Sequence, residues 1–203
     1  MVVSFFITIF TETNNKTMKT LFEYLAFSDE LFIGGYYGES LLVLHGISFG
    51  VKIGKQLKLK WSDFIDEKGQ IKDFIVIDGQ TIPLNKKSKF RTFTTYKLLQ
   101  DKINLSDYIY TTKKGNVLST DNLSKNLKRL AKNIFDIDYK DLTPTSLEKA
   151  WALSIIEHNN YSKSIFIELK EYLGKKSMTE LIEFVGVEPK EKNIIRFDLI
   201  DCQ

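Results

Sequence analysis

Apolar residues recur at helical spacing in the first part of the chain. They predict a first helix over residues 18–27, which the polar triplet 28–30 interrupts. The glycines within residues 34–38 predict a turn. Ser40 can cap the strongly apolar helix that follows and leads to Phe49. The chain therefore opens with two helices joined by a glycine-rich turn.

The pattern changes to that of strands after residue 64. Residues 66–69 form a hairpin-turn sequence, and residues 74–77 are aromatic and β-branched. Asp78-Gly79 is a strong turn signal, and residues 81–84 can form the returning strand. This region predicts a small antiparallel sheet.

The next section alternates between basic and apolar residues. Residues 85–89 predict a basic loop, and the alternating large residues of 90–94 indicate an extended segment. A short helix is predicted over 96–103, a strand-like segment over 108–110 and a turn over 113–116.

The second half of the chain is helical in pattern. Ser119, Thr120 or Asp121 can cap a helix that has one apolar and one basic face. The apolar face contains Leu123, Leu127, Leu130 and Ile134. Pro144 suits the first turn of a following helix. Residues 166–172 and 178–185 complete the predicted set.

These elements predict an α+β fold that is mainly α-helical with a small antiparallel β-sheet. We expect one domain over residues 18–187, an N-terminal extension of residues 1–17 and a C-terminal tail of residues 188–203. The simpler expectation for the tail is that it packs on its own domain. The apolar opening of residues 1–10 is too short for a membrane span and lacks a signal-peptide pattern, which favours a cytoplasmic protein with no membrane partner.

The positive charge is concentrated in the middle of the chain. Residues 84–132 contain twelve cations and three carboxylates, a net charge of +9, whereas the whole protein has +3. The rest of the chain is therefore acidic, at −6. This segregation suits binding of a polyanion, although lysines on solvent-facing helices give the same pattern.

Few residues could hold a metal ion. The chain has one cysteine, Cys202, and two histidines, His45 and His158, so we expect no metal site and no cofactor. Because His45 lies in an apolar helix, we interpret it as a hydrogen-bonded structural residue.

The segment from Phe49 to Asp63 carries the most specific pattern. Its apolar positions predict a short amphipathic helix with Lys52 at its head, followed by Leu-Lys-Leu-Lys-Trp-Ser-Asp. Gly50 and Gly54 allow another backbone to approach closely. Trp61 supplies a bulky anchor after the helix.

Two further motifs follow in order, Thr143-Pro144-Thr145-Ser146-Leu147-Glu148-Lys149-Ala150 and Leu173-Gly174-Lys175, with Phe184 nine residues later. Together with the segment Phe49 to Phe64, they resemble the three boxes of the tyrosine recombinase (phage integrase) catalytic domain. The resemblance covers residues 18–187. It implies the fold of that domain and an ancestral chemistry of DNA strand exchange.

The resemblance also assigns the catalytic positions, and most carry a different group here. Lys52 and Glu148 stand where the family has arginines, and Phe184 stands where it has the tyrosine nucleophile. Phenylalanine has no hydroxyl to attack a phosphodiester. The family positions are occupied by Lys52, Thr145, Glu148, Lys149, Lys175 and Phe184.

The family carries a lysine on a β-hairpin that reaches the DNA. Lys86, Lys87 or Lys89 could fill that place, and the sequence does not decide which. We expect phosphate contacts from the basic residues of this region, the basic helix and the boxes. They are Lys52, Lys86, Lys87, Lys89, Arg91, Lys125, Lys128, Arg129, Lys132, Lys149 and Lys175.

Three functions follow from these patterns. The preferred one is a recombinase-like protein that binds double-stranded DNA without cleaving it, as a homo-oligomer or with a partner recombinase docked through the tail. The second is an active recombinase with a divergent site, in which Tyr172 or Tyr161 replaces the nucleophile. The third is an interaction or scaffold protein that uses the same fold.

Overall fold

The computed structural model describes residues 20–136, 138–139 and 142–190, together with the backbone pairing of residues 15–16. It is mainly helical and contains a small antiparallel sheet, which confirms the predicted fold class. The chain divides into two compact units, Met1–Trp151 and Ala152–Gln203. The apolar residues 1–10 and most of the predicted tail, residues 191–203, lie outside the described residues.

Helices account for most of the described residues. They are α1 (Leu21–Ile33), α2 (Tyr37–Phe49), α3 (Ile53–Gln56), α4 (Trp61–Phe64), α5 (Lys86–Leu99), α6 (Thr120–Phe135), α7 (Pro144–His158), α8 (Lys163–Tyr172) and α9 (Met178–Val185). A 3₁₀ turn, Gln100–Lys102, extends α5. No helix among the described residues combines the length and the apolar character that crossing a membrane requires.

The strands form two separate pairs. They are β1 (Asn15–Lys16), β2 (Phe74–Ile77), β3 (Gln80–Pro83) and β4 (Asp138–Tyr139). β1 pairs in parallel with β4, and β2 pairs antiparallel with β3, with Ile75 opposite Ile82. The turn residues Asp78 and Gly79 have φ of +50° and +78°, as a tight hairpin requires. The predicted hairpin is confirmed.

Helix α1 begins with a capping box, in which Glu23 N–H donates to Thr20 Oγ1 and Thr20 N–H donates to the Glu23 carboxylate. The predicted interruption at residues 28–30 is wrong, since α1 continues to Ile33. The reason is that Ser28 is buried and donates from Oγ to the carbonyl oxygen of Ser40 at 2.9 Å. A polar residue here bonds to the neighbouring helix instead of ending its own.

Helix α2 is buried along most of its length. It begins at Tyr37, so the predictions of a cap at Ser40 and of a turn at Gly38 are wrong. Ser40 lies inside the helix and donates to the carbonyl oxygen of Ser28 at 2.7 Å. Gly38 faces the backbone of Thr111, because a Cβ at Gly38 would lie 1.9 Å from that carbonyl oxygen.

His45 lies in the centre of the core and is fully buried. Its Nδ1 is 2.8 Å from the Tyr110 hydroxyl, its Nε2 is 3.0 Å from Thr92 Oγ1, and its ring stacks on Phe49 and Phe64. Burial lowers the pKa of His45 from 6.5 to about 3. The predicted structural role is confirmed.

The segment from Phe49 to Asp63 is less helical than predicted. Helix α2 ends at Phe49 because Gly50 adopts a left-handed conformation, with φ of +63°. Only the single turns α3 and α4 follow, with Lys52 at the position that precedes α3. The predicted buried side is confirmed for Val51, Ile53, Leu57, Leu59 and Trp61.

The predictions of a basic loop over residues 85–89 and an extended segment over 90–94 are wrong. These residues form α5, which Asn85 caps by accepting a hydrogen bond from Ser88 N–H at 2.8 Å. The buried face of α5 consists of Ser88, Thr92 and Thr95. Small polar residues at i, i+4 and i+7 make a helical face that a search for apolar residues does not detect.

Helix α6 and the helices of the second unit follow the predicted pattern. Leu123, Leu127 and Leu130 of α6 are buried. α9 has the predicted bounds, while α8 begins at Lys163, three residues earlier than predicted. Phe166, Leu169, Leu181 and Val185 are buried in these two helices.

The buried, neutral His45 predicts that the protein is sensitive to mild acid. Below pH 6.5 the unfolded chain binds a proton at this residue, and the folded protein does not do so until about pH 3. The contribution of neutral His45 to the free energy of unfolding is therefore fully present above pH 6.5. It is lost as the pH falls below 6.5, by about 1.4 kcal/mol per pH unit. We expect H45Q, which keeps a donor and an acceptor, to flatten the dependence of the unfolding free energy on pH between about 6.5 and 5.

The matched control is H158Q, because His158 is exposed. Urea denaturation at several pH values measures both variants. An unchanged pH slope in H45Q contradicts the prediction.

Candidate functional site

Helix α7, which carries the second box, packs against the end of α2 through two glycines. A Cβ on Gly50 would lie 2.3 Å from the ring of Trp151, and a Cβ on Gly46 would lie 2.9 Å from Leu147 Cδ1. Real Cβ atoms do not approach other atoms so closely, so both positions require glycine. The contact places the start of α7 against the turn that carries Lys52.

Lys52 presents its side chain to solvent at the head of α3. The side chain makes no hydrogen bond or ion pair within the described part of the chain. Three residues later, Lys55 pairs with Asp78 at 2.7 Å. Lys52 is therefore the available cation of this turn.

The second box forms the beginning of α7. Thr143 and Ser146 exchange backbone-to-side-chain hydrogen bonds of 3.1 Å, which fixes the first turn. Leu147 is buried, Thr145 is exposed, and Glu148 and Lys149 are half-buried. The apolar position of this box is in the core, and the positions that the resemblance assigns to chemistry are at or near the surface.

The third box lies in the second unit, where two of its positions contact each other. Lys175 Nζ is 4.0 Å from the centre of the Phe184 ring and 3.8 Å from the Glu180 carboxylate. The Lys175 side chain is only 19% exposed. An ammonium over an aromatic face is attracted by the ring. The contact between Lys175 and Phe184 is therefore favourable although Phe184 has no hydroxyl group.

The two alternative tyrosines have other surroundings. Tyr172 ends α8, and burial raises the pKa of its hydroxyl, which disfavours the phenolate. Tyr161 has φ of +59°, and Lys190 Nζ lies 4.5 Å from the centre of its ring.

The predicted hairpin lysine is not on the hairpin. The hairpin consists of residues 74–83 and contains no lysine, whereas Lys86, Lys87 and Lys89 lie in the first turn of α5. The turn of the hairpin carries Asp78 instead of a lysine. A hydrogen bond from Lys55 lowers the pKa of the Asp78 carboxylate. The sequence prediction is wrong because α5 starts immediately after the hairpin.

The first turn of α5 is partly neutralised by acidic neighbours. Lys87 pairs with Asp29 at 3.1 Å, and Lys89 pairs with Asp73. The Lys89 ammonium lowers the pKa of the Asp73 carboxyl. Lys86 is exposed and makes no hydrogen bond or ion pair with any described residue.

Arg91 points into the protein. Its guanidinium lies 2.6 Å from Asp29 Oδ1, donates to Ser40 Oγ at 2.9 Å and to the carbonyl oxygen of Ser28 at 3.2 Å, and stacks over the Phe32 ring. The side chain is 11% exposed. Arg91 thus joins α5 to α1 and α2.

Helix α6 presents the predicted basic face. Lys125 is exposed and without a side-chain partner among the residues described. Arg129 donates to Asn126 Oδ1 at 2.8 Å, and Lys132 pairs with Asp136 at 2.8 Å. Lys128 is half-buried on the same helix.

Glu39, which no sequence motif marks, is a carboxylate on the buried side of α2 with 2% exposure. Its Oε1 accepts a long hydrogen bond from Asn126 Nδ2 at 3.4 Å. Burial raises the pKa of Glu39, and a hydrogen bond with its own backbone, the hydrogen bond from Asn126 and the charge of Arg129 oppose that shift. The sequence signal for this buried carboxylate was a single acidic residue within an apolar helix. The described residues contain no group of three or more potential metal ligands.

Comparison with solved structures identifies recombinases of similar fold. The chain matches XerA recombinase with a TM-score of 0.63 at 15% identity, over 87% of this chain and 61% of that one. It matches the XerH site-specific recombinase bound to difH substrate, in a pre-cleavage complex, with a TM-score of 0.57 at 17% identity, over 85% of this chain and 50% of that one. The post-cleavage complex of XerH gives the same TM-score and identity.

The chain therefore has a fold like that of a tyrosine recombinase catalytic domain. It spans about half to three fifths of the length of these recombinases. No protein-family model and no curated protein matches the sequence.

The close contact of Gly50 with Trp151 predicts that alanine is poorly tolerated at this position. We expect G50A to lower the free energy of unfolding by about 2–4 kcal/mol, because it combines a left-handed backbone with overpacking. The matched control is G79A, since Gly79 also has positive φ, at +78°, but has nothing within 4 Å of the new Cβ. We expect G79A to cost about 1–2 kcal/mol. Equal costs in chemical denaturation contradict the prediction.

The contacts of Arg91 predict a structural effect on removal. We expect R91A to lower the free energy of unfolding by about 2–4 kcal/mol, because Asp29 and the Ser28 carbonyl lose a half-buried charged partner. R91K keeps the charge but not the planar fork, so it should recover only part of the loss. K86A is the control on the same helix, with an expected change within about 0.5 kcal/mol. Denaturation measurements that find R91A and K86A equally stable exclude this role.

Proposed function

We propose that this protein binds double-stranded DNA through a recombinase-like fold and does not cleave the strands. The observation that carries the proposal is the third box, where Phe184 is packed under Lys175 at the position that the resemblance assigns to the nucleophile. The close packing of Gly50 against Trp151 of α7 supports a retained scaffold in the first unit.

Strand cleavage needs more than the hydroxyl, and the other catalytic positions also argue against it. Lys52 supplies a charge but cannot clamp a phosphate with two parallel hydrogen bonds, as arginine does. Glu148 stands at a position where the resemblance implies an arginine, and a carboxylate there would repel a phosphate that gathers negative charge. Lys52, Glu148 and Phe184 therefore all disfavour strand cleavage.

DNA binding is supported by the distribution of cations and by the neighbours of the fold. The XerH structures are complexes with a difH substrate. The contacts we propose are electrostatic and go to the phosphate backbone. They are Lys52, Lys86, Lys87, Lys89, Lys125, Lys128, Arg129, Lys132, Lys149 and Lys175. Arg91, which the sequence placed in this set, is better assigned to the internal contacts described above.

Several of these lysines form exposed ion pairs, such as Lys132 with Asp136 and Lys87 with Asp29. Exposed ion pairs contribute about 0–1 kcal/mol, so a phosphate can replace the carboxylate at little cost. The pairs are therefore compatible with binding. Docking of a second copy or of a partner recombinase through residues 188–203 stays a prediction.

A salt titration tests the DNA-binding proposal. We expect the protein to bind duplex DNA at low salt, with the logarithm of the affinity falling linearly as the logarithm of the salt concentration rises. Each phosphate contact removed should reduce the slope by about 0.9, so K52A and K125A should each lower it by up to that amount. Fluorescence anisotropy with a labelled duplex measures affinity and slope. K68A is the charge-matched control, because Lys68 is exposed in the 66–69 turn, outside the proposed contacts.

Absence of duplex binding at low salt overturns the proposal and favours the scaffold function. The claim of no cleavage has a separate test, in which the protein is incubated with a nicked duplex and any covalent adduct is detected by denaturing electrophoresis. We expect no adduct. An adduct that maps to Tyr161 or Tyr172 instead establishes a divergent active recombinase.

A further inference from the structure

The buried carboxylate of Glu39 has no place in the proposed set of phosphate contacts. Its Oε2 has no hydrogen-bond partner among the described residues, and its Oε1 accepts a long hydrogen bond from the Asn126 amide at 3.4 Å. The carboxylate also interacts with the N–H of its own backbone. Transfer of a carboxylate from water to such a site is unfavourable. The N-terminus of α2 favours a negative charge at Glu39, which lies in the first turn of that helix, and the same side chain reaches Asn126 of α6.

Asn126 connects Glu39 to the surface of α6. Its Nδ2 donates to Glu39 and its Oδ1 accepts from Arg129 Nη2 at 2.8 Å. A side-chain amide has one donor end and one acceptor end. Because the carboxylate only accepts, it fixes the donor end of Asn126 toward the core and leaves the acceptor end for the guanidinium.

Arg129 differs in this respect from the cations beside it. Lys125 is exposed and has no partner among the described residues, and Lys132 pairs only with the exposed Asp136. Arg129 is exposed as well, but one edge of its fork is tied through Asn126 to a buried group. A guanidinium has five N–H donors, so the remaining donors can bind an oxyanion. Holding the side chain in advance reduces the entropy lost on binding.

We propose that Glu39 and Asn126 are positioning residues that hold the Arg129 guanidinium for a phosphate of the DNA backbone. This inference rests on the proposed DNA-binding function. It makes Arg129 the oriented contact of the basic face, while the lysines around it contribute charge without a fixed direction. Asn126 itself need not touch DNA.

A double-mutant cycle of N126A and R129A on duplex affinity tests the inference. We expect N126A to weaken binding about threefold to tenfold without changing the salt slope, because the number of cations is unchanged. R129A should weaken binding and reduce the slope by about 0.9. In the R129A background N126A should have no further effect. The control cycle pairs N126A with K125A, for which we expect the two effects to multiply.

A purely structural role for Asn126 predicts a different result. N126A would then weaken binding by the same factor with or without Arg129, and that outcome overturns the inference while the proposed function stands. Failure of the unmodified protein to bind duplex DNA at low salt overturns both. E39M, which has a side chain of similar length without an acceptor for Asn126, replaces N126A in the cycle if N126A does not fold, as judged by its thermal melting. We expect E39M to weaken binding in a way that depends on Arg129, as N126A does.

Discussion

The contact of Gly50 with Trp151 is the constraint on which the arrangement of the first unit depends. Gly50 ends α2 through its left-handed backbone, and the absence of a side chain admits the indole of α7. Any Cβ at this position would overlap that ring, at 2.3 Å. One residue therefore sets both where the chain leaves α2 and how closely α7 approaches. The turn that carries Lys52 follows directly from this point.

The core and the surface of the boxes obey different physical constraints. Leu147, Trp61 and Gly50 are fixed by close packing, in which a change of one methyl group is felt. Lys52 and Thr145 are exposed, where exchange of one polar group for another costs little stability. The residues that fix the fold of this region are therefore different from the exposed residues beside them.

The basic middle of the sequence serves more than one purpose in space. Arg91 holds α5 against α1 and α2 from the inside, with 11% of its side chain exposed. Lys87 and Lys89 pair with carboxylates, and Lys86 and Lys125 extend into solvent. The turn of the hairpin carries Asp78 and not a lysine. A count of charges along the chain predicts attraction to a polyanion, but it does not identify which cations are available to one.

The sequence by itself determined the elements that have local signals. The Asp78-Gly79 turn, the leucines of α6 and Pro144 at the start of α7 predicted their elements correctly, since caps, turns and periodicity act between residues a few positions apart. Tertiary structure alone decided the rest. The helical state of residues 86–99 depends on burial of Ser88 and Thr92 against α2, and the bonds of Glu39 with Asn126 and of Arg91 with Asp29 join residues far apart in the chain. Such contacts produce no periodic pattern in the sequence, because their partners come together only when the chain has folded.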